Sequence, residues 1–255
     1  MRFRPSSNLI LAILLICAIL LSGCSSGNTP VQSATPSSEP TQAGTEASAT
    51  PYLIEESYDP YIPVIVDTVM TKTESGIRYT PKVSIRGDET VAGLINDDIA
   101  ALMEQMFTKA GYTEGEPYTL TYEIKSNQRM LLSLLFRLAV KRDTDSAVVV
   151  KTATYHCMAG KRLSFDEFFN QKRNWQGRVR DAAEAVAADL NLDIIGQIPV
   201  VNGSNEFYIA DKTLVLVYQQ YEIATFASGI PILPIPMYTI EDVMDSDVYT
   251  WLAGE

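Results

Sequence analysis

His156 is the one histidine of this chain of 255 residues, so any zinc site or nucleophilic triad built on imidazole has a single candidate. Its neighbour Cys157 lies in the same apolar, strand-like run, and alternation along a strand sends the two side chains to opposite faces. They cannot act as an adjacent thiol–imidazole pair, and Cys157 is expected as a small buried hydrophobe. The sequence has no His-Glu-x-x-His run, no cysteine pair at metal spacing, no Gly-x-Ser-x-Gly elbow and no phosphate-binding glycine loop. Carboxylates remain: Asp97-Asp98, Asp166-Glu167, and Glu241-Asp242 with Asp245 and Asp247. Two converging carboxylates can run acid–base hydrolysis. Asp97 and Asp98, however, fall on the polar side of an expected helix, and Asp166-Glu167 in a first helical turn, where the macrodipole favours negative charge. The last cluster lacks the spacing of a calcium loop and is expected as surface. Asn202-Gly203-Ser204 matches a glycosylation sequon and is expected as a turn. The expectation is therefore no catalytic residue, no metal and no cofactor.

The elements that would position these groups follow from apolar periodicity. Ile62 to Lys72 and Ile77 to Ile85 are rich in β-branched residues around a Thr73–Gly76 turn and predict a hairpin. Val91, Leu94, Ile95, Ile99, Leu102 and Met106 then recur at helical spacing, with Asp88 as N-cap and Gly111 as stop. Tyr118–Lys125, Met130–Arg142 and Ala147–Met158 predict an antiparallel meander. Ser164 and Glu167 have the spacing of a capping box, with Leu163 and Phe168 as its staple, which predicts a helix start. The inner face of a following helix is Trp175, Val179, Ala182, Ala183, Val186 and Leu190. Glu206–Ala210 and Thr213–Tyr218 predict a second hairpin around Asp211-Lys212, and Pro231, Pro234 and Pro236 place Ile230–Tyr238 at a sheet edge or in a loop along the wall of the domain. Thr239 to Met244 is expected as a last helical turn. Local strand pairing with two main helices and no repeated βαβ rhythm argues an α+β fold of antiparallel sheets.

The first residues predict a route and an anchor. Arg2 and Arg4, then the apolar Leu9–Leu21, form a signal too short for the about 20 residues of a confident span. Leu21, Ser22, Gly23 and Cys24 resemble the bacterial lipobox, which implies cleavage after residue 23 and acylation of Cys24. Residues 24–51 are dominated by Ser, Thr, Pro, Gly and Ala, with no aromatic residue, and read as a disordered stalk. The expected folded domain is 52–255, either one body or two packed lobes near 52–158 and 159–255. The chain carries 31 acidic and 20 basic residues for a net charge of −11, and losing residues 1–23 removes Arg2 and Arg4 but no acid. Such a surface repels nucleic acid and attracts basic proteins.

Gly160-Lys161-Arg162-Leu163, Asp166-Glu167-Phe168 and, above all, Tyr221-Glu222-Ile223-Ala224-Thr225-Phe226-Ala227-Ser228-Gly229 resemble the extracellular domain of the RsiV type. That domain of unknown function also precedes the catalytic domain of the peptidoglycan deacetylase PdaC. Thr225 and Phe226 stand where Pro and Tyr are usual, so the turn before Ala227 is expected to be looser. The resemblance implies a recognition or scaffolding module, since RsiV binds lysozyme through this domain and PdaC keeps its chemistry in a separate one. Neither a sigma-binding segment nor a deacetylase domain is expected within the 255 residues. Tyr221 and Glu222 either line a cleft between the last hairpin and the preceding helix, or serve structure, Tyr221 plugging the sheet end and Glu222 accepting backbone N–H groups. Gly229 is expected in a conformation that side chains disfavour.

Three functions follow as expectations. The leading one is a non-enzymatic lipoprotein held to the bacterial cell membrane, inner or outer, whose domain binds a basic protein such as lysozyme or a peptidoglycan fragment. The others are a carboxylate-dependent cell-wall hydrolase or deacetylase accessory, and a purely structural envelope lipoprotein.

Overall fold

The computed structural model describes residues 64–143 and 145–253. The signal with Leu21, Ser22 and Gly23, the acylation site Cys24, the linker to residue 51 and residues 52–63 lie outside the described residues. The fold is α+β. Strands β1 (Ile65–Lys72) and β2 (Gly76–Ser84) form the expected hairpin, and helix α1 (Glu89–Ala110) follows. Asp88 Oδ1 caps α1 by accepting the Val91 N–H at 3.0 Å. Gly111 ends it at φ 61°, where the Tyr112 N–H reaches back to the Phe107 carbonyl, as a left-handed stop requires. β3 (Tyr118–Gln128), β4 (Leu131–Lys141) and β5 (Ser146–His156) make the antiparallel meander, and β6 (Lys161–Arg162) adds two residues to its edge. One seam departs from the expected antiparallel pattern: β2 pairs with β3 in parallel, because α1 carries the chain back over the sheet before β3 starts.

The second half builds helix α2 (Trp175–Asp189) and a three-stranded antiparallel sheet, β7 (Glu206–Ala210), β8 (Thr213–Val217) and β9 (Ile232–Pro236). β9 lies at the edge, the position its prolines require. The capping-box residues produce a single 3-10 turn, Phe165–Phe168, rather than a lasting helix. The chain is pulled extended at Phe169, which bridges to Met244, while the Asn170 N–H donates to the Val243 carbonyl. Beyond the expected turn at 239–244 a third helix, α3 (Ser246–Ala253), closes the described chain.

The packing has four layers. Ile95, Ile99 and Leu102 of α1 meet Leu132, Leu134 and Phe136 on one face of the larger sheet. Each such buried side chain contributes about 1.5–3 kcal/mol relative to exposure. On the other face Leu135 and Val150 meet Tyr208, Val215 and Val217 of the smaller sheet. The far side of that sheet, through Leu214 and Leu216, carries Val179 and Ala183 of α2. Two expected core positions fall outside these layers: Leu94 is 53% exposed, displaced towards the turn at Gly160, and Leu190 is 49% exposed past the end of α2, while Ala187 takes the buried place.

Polar groups at the seam between the sheets are met by side chains. The Phe207 N–H donates to Thr152 Oγ1 at 2.8 Å, and the Ile209 N–H to Ser133 Oγ at 3.2 Å. In return Glu206 Oε2 accepts the Thr152 N–H at 2.8 Å, with Lys151 paired to its other oxygen. The carboxamide of Gln219 bonds both the N–H and the carbonyl of Val150, at 3.0 and 2.8 Å.

Candidate functional site

His156 and Cys157 project to opposite sides of the larger sheet. Cys157 is fully buried in the core beneath α1, where burial pushes its thiol up to about 12. His156 packs against the indole of Trp251 at 5.1 Å, and its Nδ1 has no hydrogen-bond partner among the described residues. Asp98 is not the solvated face residue that helical periodicity suggests. Its Oδ2 accepts the hydroxyl of the buried Tyr155 at 2.8 Å and lies 3.4 Å from Arg162 Nε, while burial and this hydrogen bond hold the Tyr155 phenol protonated well beyond its ordinary range. Glu167 accepts the backbone N–H and hydroxyl of Ser164 at 2.8 and 3.0 Å and pairs with Lys161. Partial burial raises its pKa, but these donors outweigh it and leave the carboxyl below its usual range. Asn202 accepts the Ser204 N–H at 2.8 Å, which makes the sequon a turn. Among the described residues no three His, Cys, Asp or Glu side chains gather to hold a metal ion.

The segment Tyr221–Gly229 is hydrogen-bonded along its backbone and exposed in its two aromatic side chains, while Ile223 is fully buried. Ala224 is fully buried and bridges to Ile194, the Ile195 N–H donates to the Ile223 carbonyl at 2.8 Å, and the Thr225 N–H donates to the Asp193 carbonyl at 3.0 Å. That last bond needs a donor that proline lacks, so Thr225 ties down the turn that the substitution was expected to loosen. A 3-10 turn over Phe226–Ser228 ends at Gly229, φ 69° and ψ −135°, a region nearly closed to side chains. Tyr221 does not plug the sheet end: it sits at φ 67°, 65% exposed, in left-handed backbone that costs a non-glycine residue roughly 1–2 kcal/mol. Phe226 is 68% exposed. Glu222 parts company with its neighbour, its Oε2 accepting the Gln219 N–H at 2.6 Å and its side chain lining a cavity of about 270 Å³.

That cavity lies between the 199–206 loop and the end of β8, not between the last hairpin and α2, and shares Lys151, Ser204 and Glu206 with a groove of about 420 Å³ on the other side of the Lys151–Glu206 pair. A third recess of about 300 Å³ lies against α3, between His156, Glu167 and Trp251. A fourth recess, about 770 Å³, opens between Arg173, Arg178, Tyr238, Glu241 and Tyr249. Periodicity alone did not single out Trp251 or Tyr238. Their signal is compositional: a Trp near an acidic helix start, and a Tyr two residues beyond a proline-rich edge strand.

Residues 165–238 match the profile of a family described as "Protein of unknown function (DUF3298)". Two crystal structures of proteins of that family share the fold. One, from Pseudomonas aeruginosa, is 13% identical with a TM-score of 0.53 and covers 75% of this chain and 99% of its own. The other, from Bacteroides fragilis, is 10% identical with a TM-score of 0.56 and covers 75% and 98%. No curated protein matches the chain.

Proposed function

We propose that the protein is an extracytoplasmic lipoprotein, acylated on Cys24, whose domain is a non-catalytic recognition module for a basic protein of the lysozyme kind. The observation that carries this reading is the loop at 221–229: two large exposed rings on a backbone fixed by the two hydrogen bonds of the Ile194–Ala224 bridge, one ring held at a strained φ. Strain that persists on an exposed side chain points to use, and rigid aromatic side chains are efficient anchors because little freedom is lost on binding. The net charge of −11 favours a cationic partner, and the resemblance to the RsiV-type domain supports the same choice. The carboxylates lining the central cavities, Glu206 and Glu222, are spent on backbone N–H groups and Lys151, which argues against the hydrolase reading. A peptidoglycan fragment as ligand draws support from the open groove at Tyr238, a ring 73% exposed beside Arg173 and Glu241.

The test is binding of the Cys24→Ala chain to lysozyme and to soluble peptidoglycan pieces at low and high salt. Saturable lysozyme binding that weakens with salt is expected, and Phe226→Ala should reduce it by about tenfold or more, as for an interface anchor. Absence of lysozyme binding at low salt refutes the reading. In cells, Cys24→Ala should move the protein from the membrane to the soluble fraction.

A further inference from the structure

We propose that the recess against α3 seats an arginine side chain of the protein partner, an assignment that rests on the reading of the domain as a module for a basic protein. The recess, about 300 Å³, is walled by Leu163, Phe168 and the indole of Trp251, with His156 packed on that indole and the exposed carboxylates of Glu167 and Asp247 lining it. Arginine is the side chain this combination suits. Its apolar stem matches the leucine and phenylalanine walls, and its planar, weakly hydrated cation is attracted by an indole and by carboxylates. Lysine carries the same charge as a strongly hydrated point and gains less from the ring.

The site is built before any ligand arrives. The Trp251 Nε1–H donates to the Arg129 carbonyl at 3.1 Å, and the Arg129 guanidinium donates in turn to the carbonyls of Trp251 and Leu252 at 3.2 and 2.9 Å. These bonds lock the indole to the β3–β4 turn, so no order has to be imposed on it when a guanidinium docks. The charges are unequal in availability. Glu167 is already paired with Lys161, whereas Asp247 makes no ion pair among the described residues and supplies the free negative charge. Lys161 and Arg162 stand near enough to Glu167 and Asp98 to spend their charge on those partners.

The probe is the blocked tripeptide acetyl-Gly-Arg-Gly-amide, titrated into the Cys24→Ala chain while tryptophan emission is followed. A saturable change is expected that is absent in Trp251→Phe, weaker by about 3- to 5-fold in Asp247→Asn, as for an exposed ion pair, and lost in Asp247→Lys. The citrulline analogue, equal in shape but uncharged, should bind at least about tenfold more weakly. Equal binding of the citrulline peptide, no response in the wild type, or no effect of Asp247→Lys overturns the assignment. Asp247 is exposed, so its replacements leave the fold intact. Lysozyme bound equally by wild type and Asp247→Lys would sink this site while leaving the recognition reading standing; no lysozyme binding in either would sink that reading itself.

Discussion

The seam between the two sheets, built from strands β4, β5 and β7, and the loop at 221–229, which joins β8 to β9, are constructed on opposite principles. At the seam, buried N–H groups of Thr152, Phe207 and Ile209 each find an acceptor among Glu206, Thr152 and Ser133. In the loop, the backbone is equally well bonded, but Tyr221 keeps a costly φ and Tyr221 and Phe226 bury little of their surface. The first region is optimised for the folded state alone. The second gives up stability for a surface, and that contrast separates the part of the molecule that holds from the part that touches.

The comparison can be broken most severely in the core behind the seam. Phe165, wholly buried against Phe169, Trp175 and Phe207, should cost about 3–5 kcal/mol as Phe165→Ala, read from the urea midpoint. Thr152→Val keeps the shape but removes the acceptor of the Phe207 N–H and should cost about 1–3 kcal/mol with an unchanged denaturant slope. Tyr221→Gly sharpens the contrast because its two readouts should diverge: the strain is relieved and stability rises by about 0.5–1 kcal/mol, while lysozyme binding falls. A loss in both would mean that the ring packs after all. The smallest effect is expected at Glu167. Its folded pKa is depressed, so its contribution is complete above the unfolded carboxyl value and is lost as pH falls through the folded one. Glu167→Gln should therefore flatten the acid limb of the stability–pH curve slightly, the side chain being 35% exposed.

Much of the frame is legible in the sequence. Asp88 and Gly111 bracket α1, the prolines place β9 at an edge, and the apolar alternation finds each strand of the meander, because all three signals are local. The misses are long-range. Ser164 and Glu167 encode a helix start that the pairing of Phe169 with Met244 stops after one turn. Asp98 falls on the polar side of α1 by periodicity, while its partner, the Tyr155 hydroxyl, lies 57 residues further on. The parallel contact of β2 with β3 is likewise set by how α1 packs, not by either strand's sequence. At the candidate site the signature residues could be named, but not the division of labour between them: Tyr221 faces solvent while Glu222 caps a turn. A tyrosine's type does not say on which side of a bend it will emerge.

Gln219 has a consequence beyond the seam. A carboxamide offers one donor and one acceptor in the same plane as a peptide unit, so at Val150 it imitates a tenant strand without being one. An incoming chain seeking to extend the sheet at β5 must first evict that imitation and forfeit both of its bonds. The β5 side of the larger sheet is thereby closed to pairing with a second copy of the domain.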